Sequence, residues 1–124
     1  MLCAAVVLPA SALADSTGTV PGLRAQVSRL ITAELARDTA TVCAIVGTPM
    51  DTTIHGSTCE QRWGKSISHY LRHGGRSQLH ADASAVASAT VSSSGTYASI
   101  TLPHPLLGGD SNFSWYDNCW MLEK

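Results

Sequence analysis

Two histidines in the middle of the chain have a spacing that could hold a metal ion. His69 and His73 are four residues apart, which on a helix puts two imidazoles on one side, and His80 follows a few residues later. The segment lacks the H-E-x-x-H pattern of a catalytic zinc site. On a helical projection the pair lies on a polar flank, away from Trp63. We therefore predict a solvated polar face, with no metal and no other cofactor.

Other polar residues have the types needed for nucleophilic or acid–base catalysis. His104, Asp110 and Ser111 could form a triad by type, but Ser111 stands in GGDSN and not in a G-x-S-x-G turn. An isomerase-like base would be an aspartate in an apolar cavity. The candidates by type are three aspartates, all in predicted turns, where Asp is favoured for conformational reasons: Asp51, Asp82 and Asp117. We predict no catalytic residue.

One disulfide is predicted among the four cysteines. Cys43 and Cys59 fall on the buried faces of two consecutive predicted helices, so both thiols should reach one core and form a bond. Cys3 lies in a predicted leader, which leaves Cys119 as an odd thiol, either buried and inert or available to bridge two molecules. Since Cys119 alternates with an inward-pointing Trp120, we predict an outward thiol and partial homodimers through it.

Aromatic side chains are the main candidates for a ligand or partner surface. A small domain has few other large side chains, so most of them should build the core. Some should instead line a pocket or an exposed surface, and the candidates are Trp63, Tyr70, Trp115, Tyr116 and Trp120. Tyr116 is expected to point outward, because Phe113 and Trp115 share the opposite face of its strand.

The elements that would position these residues follow an apolar leader. Residues 1–14 are uncharged and end in Ala12-Leu13-Ala14, the small-x-small pattern that signal peptidase cleaves after. No Lys or Arg precedes the run, which is consistent with a start codon placed too far downstream. The alternative, an apolar element of the fold, is disfavoured by Pro9. We expect a secreted chain that begins near Asp15 and forms one domain over residues 15–124.

Charge and hydropathy exclude two classes of partner. Eight Lys and Arg against nine Asp and Glu give a formal net charge of −1, and the cationic residues are scattered. Nucleic-acid binding therefore has no electrostatic basis. No apolar run reaches the roughly 20 residues that a membrane span requires. The remaining expected partners are an envelope protein or an apolar small ligand.

The first half of the mature chain has helical periodicity. Apolar residues recur at helical spacing between Gly22 and Asp38. Further along, Thr58 and Gln61 have the spacing of a capping box. Three helices are expected: one over residues 22–38, a short one around residues 42–46, and one that starts after Thr58 and ends at Gly74-Gly75.

The second half changes to the alternation of strands. A first hairpin is predicted from Val86–Val91 and Tyr97–Leu102, with Ser92 to Gly95 as its turn. A second joins Phe113–Tyr116 to Cys119–Leu122 through Asp117-Asn118. The fold class is therefore α+β, with about four antiparallel strands.

Several segments resemble a known family. TVCAIV with Cys43, STCEQRW with Cys59, ATVSSSGTYASITLP, and DNCWMLEK with Trp120 resemble the small secreted NTF2-like (cystatin-like, cone-shaped) proteins of actinobacteria. The resemblance spans roughly residues 22–124 and implies N-terminal helices packed on a curved antiparallel sheet. It implies no particular reaction, because this fold hosts enzymes and many non-enzymes.

Two functions from different classes are compatible with these patterns. We expect a disulfide-stabilised extracellular module that binds a ligand or an envelope protein without catalysis. The alternative is a small cone-fold enzyme, of the isomerase or dehydratase type, acting on an apolar small molecule. An ionisable side chain in an otherwise apolar cavity would favour the enzyme, and a cup filled by Trp and Ile would favour the binding module.

Overall fold

Helical elements come first along the chain and the main sheet second. The structure, a computed structural model, describes residues 18–46, 53–54, 57–108, 111–116 and 118–123. The predicted leader over residues 1–14 lies outside the described residues, and so do Cys3, Asp51, Asp110 and Asp117. Within the described part the fold is α+β, as predicted from the change in periodicity.

The first two helices begin at polar capping residues. Helix α1 (Val20–Ala36) starts after Thr19, whose hydroxyl accepts a hydrogen bond from the Gly22 N–H at 3.1 Å. Helix α2 (Thr39–Ile45) starts after Asp38, whose carboxylate accepts from the Thr41 N–H at 3.2 Å. Both helices therefore start close to where the periodicity places them.

The disulfide joins the second helix to the third and is confirmed. A short ladder of β1 (Thr53–Ile54) and β2 (Ser57–Thr58) precedes helix α3 (Cys59–Tyr70). The predicted capping box is present, since the backbone N–H groups and side chains of Thr58 and Gln61 exchange hydrogen bonds. Cys43 and Cys59 are bonded, with their Cα atoms 6.1 Å apart.

The Gly74-Gly75 pair, predicted to end the third helix, instead marks a kink. Leu71–Gly75 form one wide turn in which Gly74 has a φ of 88°, a conformation that favours glycine. Helix α4 (Arg76–Ala85) follows at once. Helix α4 was not predicted, because its buried residues are only Leu79 and Asp82, which do not form an apolar stripe.

The predicted first strand is wrong at its beginning. Val86–Ser88 form a 3₁₀ turn, and the Arg24 guanidinium donates to the Val86 carbonyl oxygen at 2.6 Å. Strand β3 (Val91–Ser94) starts only at Val91, so the serines expected to turn are strand residues instead. The turn lies at Gly95, whose φ is 70°. Three serines suit this place because β3 is an edge strand with exposed side chains.

The remaining strands lie where they are predicted, except that the strand predicted to reach Leu102 ends at Ile100. Strands β4 (Tyr97–Ile100), β5 (Asn112–Tyr116) and β6 (Cys119–Leu122) follow β3 in an antiparallel meander. In the last hairpin Trp115 is paired with Trp120, and Asn118 adopts a positive φ of 61° in the turn.

The core fills the space between the helices and one face of the sheet. Its largest fully buried apolar members come from α1, α2, the sheet and the segment after β4: Leu23, Leu30, Ile31, Ile45, Leu106, Phe113, Trp120 and Leu122. Gln26 ties α1 to β6 by donating from Nε2 to the Trp120 carbonyl oxygen at 2.8 Å. Large apolar side chains, Trp120 among them, therefore fill the space between this face of the sheet and the helices.

The predicted outward, solvated Cys119 is wrong. Strand alternation does separate it from Trp120, but all four residues of β6 are buried, and Cys119 is only 6% exposed. Its Sγ lies 3.5 Å from the Met121 Sδ. The prediction assumed that the face of β6 opposite Trp120 is solvated, but that face is buried as well. The predicted homodimer through Cys119 therefore loses its structural basis.

Candidate functional site

A cleft of about 660 Å³ opens beside α3. Its apolar lining consists of Trp63, Ile67, Tyr70, Pro105 and Leu107. Its polar lining consists of Glu34, Lys65, Ser66, His69, His73, Gln78 and His104. These residues come from α1, α3, the kink, α4 and the segment after β4. The volume falls within the roughly 300–1,000 Å³ usual for small-molecule sites.

Tyr70 is held in the cleft by the kink. Its hydroxyl donates a hydrogen bond to Gln78 Oε1 at 2.5 Å. A Cβ added to Gly75 would overlap the Tyr70 ring and carbonyl oxygen, so the backbone passes against this side chain. Burial raises the pKa of Tyr70, and the carboxylates of Asp82 and Glu34 raise it further. The phenol therefore stays protonated at neutral pH.

The buried Asp82 is paired with the half-buried His104 at the cleft. Asp82 is 1% exposed, and its Oδ1 accepts a hydrogen bond from the His104 backbone N–H at 3.0 Å. The same oxygen lies 3.2 Å from His104 Nδ1. Since a carboxylate only accepts, Nδ1 carries the proton of the neutral ring, and Nε2 is the basic nitrogen. The side chain of His104 is 33% exposed and lines the cleft.

The interpretation of Asp82 as a turn aspartate is therefore wrong. It lies inside α4, which the sequence did not reveal, and its carboxylate is tied to a residue 22 positions further along the chain. Asp51 and Asp117 lie outside the described residues, as does Asp110 of the weighed triad. Ser111 is described and is not among the residues that line the cleft.

Glu34 is a second buried carboxylate, and it was not among the predicted site residues. It is 2% exposed, lies in α1 and lines the cleft. A charged residue is ordinarily assigned to a solvated helix face, but Glu34 continues the spacing of Val27 and Leu30, both of which are buried. The spacing along the helix therefore indicates burial of Glu34, although a charged residue type argues for exposure.

The histidine pair borders the cleft at its surface. The rings of His69 and His73 are stacked with centroids 4.1 Å apart, and His73 Nδ1 lies 2.7 Å from the His69 carbonyl oxygen. Both residues are exposed, as predicted, but they share the cleft with Trp63. Among the described residues, no three His, Cys, Asp or Glu side chains are grouped as a metal site would require.

The structure brings together two of the five predicted aromatic candidates. Trp63 and Tyr70 line the cleft. Trp115 and Trp120 instead pack edge-to-face, with their ring centroids 5.4 Å apart. Trp120 is only 2% exposed, and its Nε1 donates a hydrogen bond to the Thr19 carbonyl oxygen. Tyr116 is 62% exposed, which confirms that it points outward.

No protein-family model matches the chain, and no curated protein or solved structure shows significant similarity to it. None of the described helices is long and apolar enough to cross a membrane. The chemistry of the cleft is therefore the basis for assigning a function.

Proposed function

We propose that this domain binds a neutral, mainly apolar small molecule in the cleft beside α3. The observation that carries the proposal is the combination of ligand-sized volume and apolar walls, with Trp63 and Tyr70 on α3 and Pro105 and Leu107 after β4. Few polar groups are needed to orient a ligand in such a site. Tyr70 and His104 supply hydrogen-bonding atoms, so a single oxygen or nitrogen on the ligand suffices.

The charges around the cleft favour a neutral ligand over an anionic one. Glu34 and Asp82 are buried, and both are close enough to raise the pKa of Tyr70. A fatty-acid carboxylate entering the same space would be repelled by both, with little water to screen the interaction. Lys65 is the cationic residue of the lining, and it is exposed.

Binding of the neutral dye N-phenyl-1-naphthylamine tests the proposal. The wild-type protein should increase the fluorescence of the dye saturably. Ser66→Trp, at an exposed position that lines the cleft, should fill the site and weaken dye binding at least about tenfold. Ser84→Trp, at an exposed position on α4 outside the lining, is the matched control. Equal dye binding by the two variants would overturn the proposal.

The setting that we propose is a secreted NTF2-like domain with a curved sheet. The resemblance of its segments supports this, and the Cys43–Cys59 disulfide is compatible with an oxidising compartment. The core supports a binding module over a cone-cavity enzyme, because Trp120 and its neighbours fill the space inside the sheet. N-terminal sequencing of the exported protein should give a start within a residue or two of Asp15.

An enzyme acting on the same kind of molecule is the second candidate. Glu34 and His104 favour it, since both are ionisable groups that line a largely apolar cleft.

A further inference from the structure

We infer that His104 is a general base toward a molecule bound in the cleft, and that Asp82 positions it. The inference rests on the proposed binding of a neutral apolar molecule. The substrate class is such a molecule with an activated C–H bond, next to a carbonyl group or within an electron-poor ring. In this step Nε2 of His104 takes the proton. The electron pair of the C–H bond stays on the substrate, where the neighbouring carbonyl group or the electron-poor ring takes up the charge.

The geometry assigns one role to each side chain. Asp82 holds His104 through two contacts, because Oδ1 accepts from the His104 backbone N–H at 3.0 Å and lies 3.2 Å from the ring Nδ1. With Nδ1 turned to the carboxylate, Nε2 remains as the nitrogen that can accept a proton from a ligand. A base held in this way matches the base-and-orienting-group arrangement of general-base catalysis.

Burial of Asp82 keeps its carboxylate beside the ring of His104, whose side chain is itself 33% exposed. Asp82 is 1% exposed and its Oδ1 lies 3.2 Å from Nδ1, so a carboxylate stands next to the ring that takes up the proton. Pro105 and Leu107 line the same cleft as His104 and add apolar surface to it. Proton transfer to Nε2 requires no co-reactant, and the proton can return to the same molecule or leave to water.

A suitable probe is 5-nitrobenzisoxazole, a neutral bicyclic molecule with an acidic C–H. Removal of that proton by Nε2 turns the C–H electron pair into part of a nitrile, and the N–O bond breaks. The oxygen keeps that bond's pair, so the product is the coloured 2-cyano-4-nitrophenolate. Atoms and electrons balance with no other reagent, and the rate reports a base directly.

The test compares three variants of the mature, disulfide-bonded protein at constant pH. His104→Gln should lower the first-order rate constant of bound probe by on the order of 100-fold, measured at saturating probe so that a change in affinity does not enter. Asp82→Asn should lower kcat by about tenfold with little change in KM, as expected of a positioning residue. His80→Gln, at an exposed position outside the lining, should leave both constants unchanged.

The dye measurement separates this inference from the proposed function. A wild-type rate equal to that of buffer, or a His104→Gln rate equal to wild type, would overturn the inference while dye binding still supported the cleft. Absence of dye binding by the wild type would overturn both. If Asp82→Asn does not fold, as judged by circular dichroism, His104→Gln and His80→Gln still decide the outcome.

Discussion

Buried ionisable side chains are the residue-scale features that distinguish this domain. Glu34 and Asp82 are almost fully covered, and both lie near Tyr70. Charges are rarely buried unless they are paired or serve a site. The sequence predicted Tyr70 as a candidate because it is aromatic. Asp82 was a candidate base by type that was interpreted as a turn residue, and Glu34 was no candidate, because burial of a charge depends on residues that are distant in the chain.

Tyr70 should make the free energy of unfolding decrease as the pH rises into the alkaline range. Burial, with Asp82 and Glu34, raises its pKa above the ordinary 10.0. The unfolded chain therefore loses the phenol proton first, so the stabilisation is complete below about pH 10 and is lost as the pH rises through the folded pKa. We expect Tyr70→Phe to flatten this decline in the free energy of urea unfolding.

The control for Tyr70 is Tyr116→Phe, which removes the hydroxyl of a tyrosine that is 62% exposed. It should reproduce the wild-type decline in stability. A Tyr70→Phe protein that loses stability as steeply as wild type would contradict the assigned role of the buried phenol.

Cys119 should be chemically inert in the folded domain. It is 6% exposed, and thiols react as thiolates, which burial disfavours. We expect iodoacetamide to modify Cys119 in urea but not in buffer, and oxidised protein to run as a monomer on a non-reducing gel. Rapid alkylation of the folded protein, or a dimer that Cys119→Ser abolishes, would restore the outward orientation that the structure contradicts.

At the scale of elements, local signals predicted some boundaries and failed at others. The capping box at Thr58 and the hairpin turn before Cys119 rest on short-range chemistry that a sequence displays directly. Helix α4 has no apolar stripe. The 3₁₀ turn after it is held by the Arg24 side chain, which donates a hydrogen bond to the carbonyl oxygen of Val86, 62 residues further along the chain. Such elements depend on tertiary contacts, which periodicity does not record.

The kink should control the cleft through Gly75. Its position against the Tyr70 ring and carbonyl oxygen leaves no room for a methyl group. We expect Gly75→Ala to displace Tyr70, lower stability by about 1–3 kcal/mol and weaken N-phenyl-1-naphthylamine binding.

Gly64→Ala is the matched control within α3. A Cβ at Gly64 would meet the Thr39 Cγ2 at 3.6 Å, an ordinary contact. Alanine should stabilise this helical position by up to about 1 kcal/mol and leave dye binding unchanged. Equal dye affinity in Gly75→Ala and Gly64→Ala would show that the kink does not position the cleft wall.

The disulfide should account for much of the stability of the helical half. It joins α2 to α3 across a sequence separation of 16 residues. For a loop of this size the chain-entropy estimate is about 3 kcal/mol, a large share of the stability of a small domain. We expect the Cys43→Ser, Cys59→Ser double variant to lose about that much in urea unfolding. An unchanged midpoint would contradict the estimate.

At the scale of the whole molecule, the core and the candidate site occupy different places. The sheet packs against the helices through Phe113, Trp120 and Leu122, which leaves that interior filled. The cleft is assembled from residues as far apart as Glu34, Trp63 and His104. The fold class could be predicted from changes in periodicity. The cleft could not, because only the folded chain brings its lining residues together.

The most direct test of the binding cleft is an NMR titration of the ¹⁵N-labelled, disulfide-bonded domain with N-phenyl-1-naphthylamine. We predict that the Trp63 indole N–H signal and the Ile67 and Leu107 amide signals shift saturably. The Trp120 indole signal, which belongs to a core side chain bonded to the Thr19 carbonyl oxygen, should stay in place. Saturable shifts confined to the exposed Tyr97 and Tyr116, with Trp63 unmoved, would contradict the assignment of the cleft.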